Sequence, residues 1–210
     1  MARFRKILRS PSDRIFYLVD ANFLVNKFIP SRLVTNTSEK LRVERAQEWW
    51  KEIDSQLKAG KAVVYIPDIC IAESFKVLAK KYYVDKYFKT TVAHKKARDA
   101  MSLFLRTTSK SLKASRRDIR VHDISTCRDI IIAVDRFFES YLKAGLNVSV
   151  VDLLILATAK YLMDFYFIPK SSLFIVTQDN SLWRGSKSLT DIPTAFNPSM
   201  DSEIASKVFH

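Results

Sequence analysis

Four short apolar runs constrain this chain more than any other feature: IFYLV at 15–19, AVVYI at 62–66, IRVHDI at 119–124 and LFIV at 173–176. They are rich in β-branched and aromatic residues, too short for core helices, and mostly without polar alternation, so they read as strands buried on both faces. The segments between them have helical character. Residues 43–59 place Ala46, Trp49, Trp50, Ile53 and Leu57 on one face and stop at Gly60. Pro67 closes the second strand, and Asp68 is positioned to cap a helix with Ile71, Ala72, Phe75 and Leu78 on its apolar side. Residues 84–112 read as one or two basic helices, followed by a KASRR loop at 113–117. Ser125 or Thr126 caps a helix that runs to Ala144 and ends at Gly145, and Ser149 with Asp152 forms a capping box ahead of LLILATAKYL.

Buried strands alternating with helices predict an α/β fold with a central parallel sheet flanked by helices. With no polar or Pro/Gly-rich linker, residues 1–210 read as one domain. Its core lies at about 15–183, with a basic helical insertion at about 84–118 and an irregular tail at about 184–210 around Pro193 and Pro198. An apolar content of 48% supplies a core and excludes the disordered class. The longest apolar run, 150–159, is interrupted by Asp152, so no membrane span is expected. The opening MARFRKILRS lacks the apolar stretch of a secretory signal, and the expected location is cytoplasmic. Cys70 and Cys127 stand in no metal or disulfide spacing and read as buried thiols, and His94 and His122 read as structural.

Charge is concentrated. Between Lys76 and Arg120 there are 14 Lys or Arg against three acids, so this segment carries +11 of the net +13. A block this basic suggests a polyanionic partner, although a solvated lysine face would give the same composition.

The acids are sparse and specifically placed. In a parallel sheet, ligands bind beyond the carboxyl ends of the strands. Asp20 closes IFYLV and Asp179 follows LFIV by three residues, in a loop. Glu73 and Asp152 lie near helix beginnings that face the same edge, among apolar neighbours. Alone, each is an ordinary turn former or helix-end charge. Together, carboxylates in apolar surroundings require a cationic partner, and a metal ion is a natural one.

VDANFLVN (19–26), PDICIAESFKVL (67–78), SVVDLLILATAKYL (149–162) and FIVTQDNSLW (174–183) resemble, in order, the four motif blocks of the PIN-domain nucleases, a family that includes the VapC-like ribonucleases. The resemblance spans most of the chain, about 15–183. It implies that Asp20, Glu73, Asp152 and Asp179 are catalytic metal ligands, and that Asn22 and Thr177 hold carboxylates or phosphate by hydrogen bonds. Two departures stand out: 79 residues separate Glu73 from Asp152, and 31 follow Asp179. Hard oxygen donors suit Mg2+ or Mn2+. The expected activity is metal-dependent phosphodiester hydrolysis with RNA as substrate, in a toxin–antitoxin pair or in RNA processing. Alternatives are a noncatalytic RNA-binding PIN module and a structure-specific DNA nuclease. Expected partners are RNA, an antitoxin protein and a second copy of the chain. Lys95, Lys96, Arg116 and Arg117 are the candidate phosphate contacts of the basic block, with Lys80, Lys81, Lys86, Lys89 and Lys110 beside them. Tyr82, Tyr83, Tyr87 and Phe88 are candidate base-stacking residues, at least half of which are expected in the core.

Overall fold

The computed structural model describes residues 14–114, 121–143, 145 and 147–201. Five parallel strands form one sheet: β1 (Ile15–Val19), β2 (Ala62–Pro67), β3 (Val121–Ile124), β4 (Leu173–Val176) and β5 (Ala195–Phe196), in the order β3-β2-β1-β4-β5. β1 pairs with β2 on one side, Phe16 opposite Val63, and with β4 on the other, Phe16 opposite Leu173. The chain builds outward from β1 to β3, then returns to the other side of β1. The strand order therefore switches between β1 and β4, where such sheets open a crevice at their carboxyl ends.

The helices are α1 (Ala21–Asn26), α2 (Thr37–Lys58), α3 (Asp68–Tyr83), α4 (Thr91–Ala114), α5 (Arg128–Lys143), α6 (Val150–Phe165) and α7 (Asn180–Ser186). Tyr17, Leu18 and Val19 of β1 are fully buried, as the continuous apolar run requires. Trp50 of α2 stacks on Phe23 of α1 at 4.9 Å between ring centroids and donates its indole N–H to the Phe23 carbonyl at 3.0 Å. Those contacts fix the short α1 against the core immediately after Asp20.

Several sequence expectations change. α1 escaped notice because six residues carry too little periodicity to separate them from the strand before them. α2 begins at Thr37, with Asn36 as its cap, because the first turn is polar and carries no apolar signal. Asp68 is the first residue of α3 rather than its cap; Pro67 holds the cap position. The Asp68 carboxylate instead accepts from the Thr126 backbone N–H at 3.0 Å and from the Thr126 hydroxyl, joining α3 to the segment before α5. The buried face of α3 is Cys70, Ser74, Leu78 and Lys81, while Ala72 and Phe75 are exposed. The basic stretch is divided: Lys76, Lys80 and Lys81 belong to α3, residues 84–90 are not helical, and α4 starts at Thr91. Ala97, Met101 and Leu105 of α4 are buried, so that helix joins the core. Lys113 and Ala114, expected in a loop, are helical. The tail is not wholly irregular, since α7 extends to Ser186 and β5 pairs with β4. Arg116 and Arg117 lie outside the described residues, as do the side chains of residues 106–114.

Candidate active site

Asp20 follows the last residue of β1, and its backbone N–H donates to the Val176 carbonyl at 3.1 Å, continuing the β1–β4 ladder by one step. The backbone turns there into α1, and the carboxylate caps the helix it starts. Oδ1 accepts from the Phe23 N–H at 2.6 Å. Oδ2 accepts from the Thr177 hydroxyl and from the Gln178 N–H at 3.2 Å. The side chain is 4% exposed. Burial outweighs these donors and, with the nearby Asp152 charge adding to it, pushes the Asp20 carboxyl up to about 7.

Thr177 is the hinge of this arrangement. Its N–H donates to Phe196 of β5 at 2.8 Å, its hydroxyl donates to Asp20, and its oxygen accepts from the Asp179 N–H at 2.8 Å. One side chain thus holds the Asp20 carboxylate and the Asp179 backbone together. Asn22 is half-buried and has no hydrogen bond to a carboxylate among the described residues. Asp179 sits at the α7 cap rather than in a free loop: its Oδ1 accepts from the Ser181 and Leu182 N–H groups at 2.7 and 2.9 Å. Asp152 completes the expected capping box, with Oδ2 accepting from the Ser149 N–H at 3.2 Å and the Ser149 hydroxyl at 2.6 Å. Glu73 projects from the second turn of α3 and is half-buried.

The topology thus gathers four carboxylates separated by 53, 79 and 27 residues in the chain. Asp152 is their common neighbour, because its charge acts on Asp20 and Glu73 while the Asp179 charge acts on it. Burial raises the Glu73 carboxyl, as does repulsion from Asp152 and Asp179, against a lowering influence from Lys76. Burial likewise raises Asp152, opposed by the Ser149 hydroxyl and reinforced by Asp179. The buried Cys70 thiol feels Asp20, Glu73 and Asp152 and is pushed well up, which keeps it a thiol and no nucleophile.

Among the described residues, no three His, Cys, Asp or Glu side chains stand close enough to hold one ion. Asp20 engages both oxygens with backbone and Thr177 donors, while Asp152 and Asp179 each engage one. Asp152 Oδ1 and Asp179 Oδ2 accept no hydrogen bond among the described residues. The side chains are all hard oxygen donors, and the carboxyls of Asp20, Glu73 and Asp152 are raised.

Sequence reasoning passed over Gln178, Asn26 and Arg42. Gln178 is 1% exposed and ties the site to α1 and α2: Asn26 donates to its Oε1, its Nε2 donates to the Arg42 carbonyl at 2.9 Å, and the Arg42 guanidinium donates to its backbone oxygen at 2.7 Å. A glutamine between a threonine and an aspartate after a buried strand is the available signal, and nothing in composition singles it out.

No protein-family model and no curated protein matches the sequence. Solved structures do match in fold. One is VapBC2 from Rickettsia felis bound to a DNA fragment from their promoter, at 14% identity and a TM-score of 0.52, covering 87% of this chain and 98% of that one. A second is FitAcB from Neisseria gonorrhoeae, at 18% identity and a TM-score of 0.48, covering 88% and 99%. The fold assignment rests on the first: the chain has the PIN-like α/β fold, a parallel sheet flanked by helices.

Proposed function

We propose that this protein is a divalent-metal-dependent nuclease of the PIN type, acting on RNA. The carrying observation is the acid cluster: four carboxylates, distant in sequence, come to the carboxyl end of one parallel sheet near the strand-order switch, and Asp20, Glu73 and Asp152 each have another member's charge acting on them. Asp20, Glu73, Asp152 and Asp179 would hold Mg2+ or Mn2+. A bound ion of this kind activates a water and stabilises the oxygen that leaves phosphorus. Thr177 and Gln178 hold the Asp20 carboxylate at fixed orientation, so the most buried ligand need not reorganise when substrate arrives. Burial excludes water from Asp20 and strengthens every charge interaction around it. The choice of RNA over DNA, and an antitoxin protein as partner, rest on the resemblance of the four sequence blocks.

One observation favours a second reading, a noncatalytic RNA-binding module of the same fold: no three carboxylates among the described residues already stand at single-ion distance. Incubating end-labelled RNA and DNA with the protein in Mg2+, in Mn2+ and in EDTA decides between them. The nuclease reading expects cleavage of RNA that EDTA and Asp20→Asn both abolish. Cleavage that persists unchanged in EDTA rejects the mechanism. Binding without cleavage in either metal supports the second reading.

A further inference from the structure

A cleft of about 620 Å³ opens from Glu73 along α3 toward the start of α2. Its walls carry Lys76, Lys80 and Lys81 of α3, Glu39 and Arg42 of α2, and Asp85 and Tyr87 from the segment after α3. Two of these charges are already matched. Glu39 accepts from the Arg42 guanidinium at 2.8 Å and from the Tyr87 hydroxyl at 2.6 Å. With Glu73 counted in the acid centre and Glu39 paired to Arg42, the cleft keeps Lys76, Lys80 and Lys81 against Asp85, although the Glu39 charge also reaches Lys81.

Lys81 is the unusual member. It is 7% exposed, yet its ammonium forms no ion pair among the described residues. Its near neighbour is the Tyr87 ring, whose centroid lies 4.5 Å from Nζ. Burial lowers its pKa, partly countered by the Glu39 charge. A buried cation is costly unless an anion meets it, and a ring face returns only part of that cost. The Glu39 and Asp85 charges reach it without a salt-bridge contact, and the residue lines the cleft, so an anion entering there can approach its ammonium.

The helix geometry orders these cations relative to the acids. At about 1.5 Å rise per residue, Lys76 lies about 4.5 Å and Lys80 about 10.5 Å beyond Glu73 along the axis. A strand whose phosphodiester sits at the acid centre therefore has its next phosphate within reach of this cleft.

We infer that the cleft between α2 and α3 is a phosphate subsite for the nucleic-acid strand, with Lys80 and Lys81 binding the phosphate next to the one at Asp20 and Glu73. The inference rests on the nuclease reading, which supplies the strand. It narrows the expectation that the whole basic block, Lys80 and Lys81 included, contacts phosphate: the anion is held in a recess beside the acids, and α4 adds only a diffuse field.

The test uses the full-length Asp20→Asn chain, so that cleavage cannot consume the probe, and a short fluorescently labelled single-stranded RNA. Binding is read by anisotropy across a range of salt. Lys81→Met keeps the buried stem and removes the charge, and Lys80→Gln is an exposed substitution that leaves the fold intact. Together they should weaken binding about tenfold or more and flatten the salt slope by about 0.7 for each phosphate that is no longer neutralised. Lys80→Gln alone carries the test in the same direction should Lys81→Met not fold. Lys95→Gln with Lys96→Gln removes equal charge from α4 and should weaken binding less than about threefold, through the general field only. Equal binding and equal slope in the cleft variants overturn the subsite, as does an equal loss in the α4 variants. A polyglutamate peptide that binds the parent more tightly than RNA also overturns it, and marks the recess as a protein-docking surface. Cleavage by the wild-type chain is measured in parallel. Wild-type cleavage with unaffected cleft variants removes the subsite alone. A parent that binds through the cleft, with a wild type that never cleaves, removes the nuclease reading alone.

Discussion

At the carboxyl end of the sheet, Asp20, Asp152 and Asp179 each hold the first turn of a helix as well as a charge; on α3 and α4, the exposed Lys80, Lys95 and Lys96 carry charge but cap no helix. The acids are woven into α1, α6 and α7 by backbone N–H groups, so a substitution there reaches fold and chemistry together. The lysines form no ion pair among the described residues, so a substitution there reaches only whatever the surface binds. Charge can thus be built in at a cost to its separability, or left outside and freely tuned. Substitutions at four places test how far that contrast holds.

The largest effect is expected at Asp20. Asp20→Asn should lower RNA cleavage by on the order of 10³-fold or more, as removal of a group acting inside a concerted site does. Stability gives an independent reading. The Asp20 carboxyl is raised from 3.8 to about 7 in the folded chain. A raised folded value means that the native state binds the proton more tightly than the unfolded state. Its stabilising contribution is therefore full below pH 3.8 and is lost as pH rises through about 7. In EDTA, the wild-type melting temperature should carry a downward component across that window, and Asp20→Asn should lack it. Mg2+ at neutral pH should raise the wild-type melting temperature and do little for Asp20→Asn. A metal-free melting curve with no difference in pH dependence between the two chains would show that Asp20 is not buried as a charge.

Asp179 permits the cap and the charge to be separated. Serine also caps helices well, so Asp179→Ser should keep the α7 terminus and melt within about 0.5 kcal/mol of the wild type. Asp179→Ala should cost about 1 kcal/mol. If the carboxylate serves the ion, both variants should lose cleavage alike, by roughly 100-fold, the upper range for weakened metal affinity. Cleavage that follows stability instead would assign Asp179 to the cap alone.

Gly185 tests how α7 is seated behind Asp179. A Cβ at this position would lie 2.1 Å from the ring of Tyr141, a residue of α5 that is 2% exposed. Tyr141 cannot swing into solvent, so Gly185→Ala should cost about 1–3 kcal/mol by overpacking. Relief by Tyr141→Leu in the same chain, read by thermal melts, would locate the clash; no relief would place the strain elsewhere in α7.

Sequence reasoning read the two regions unequally, for a physical reason. Continuous apolar strands such as 15–19 and 173–176 announce themselves because both faces are buried, and the Ser149–Asp152 box is a local pattern. The grouping of Asp20, Glu73, Asp152 and Asp179 at one end of the sheet was legible through strand ends and block order. The links that orient them were not: Asn26 to Gln178 and Thr177 to Asp20 join residues 152 and 157 positions apart, beyond any periodicity. The short α1 and β5 were hidden because six and two residues carry no period. On the basic stretch, composition gave the charge and missed its division between α3 and α4. The burial of Lys81 runs against its type and could come only from the tertiary structure.

The smallest effects belong to the exposed basic stretch. Lys95 and Lys96 are exposed on α4, and Arg116 and Arg117 follow that helix in sequence, outside the described residues. Replacing all four with Ala removes +4 from a segment that carries +11. The melting temperature should hold, because Lys95 and Lys96 have no ion pair to lose among the described residues and Ala favours the helix. RNA affinity should fall several-fold for all sequences alike, with a flatter salt dependence, since phosphate contacts carry no base information. Cleavage at saturating RNA should stay near the wild-type rate, because the acid cluster keeps all its hydrogen bonds; the loss then appears in KM and spares kcat. A drop in kcat would mean that the stretch helps place the scissile phosphate, and the division between built-in acids and freely tuned lysines would fail. Unaltered affinity and salt slope would leave α4 as a solvated face with the recess at Lys80 and Lys81 as the binding element, the stronger form of the same division.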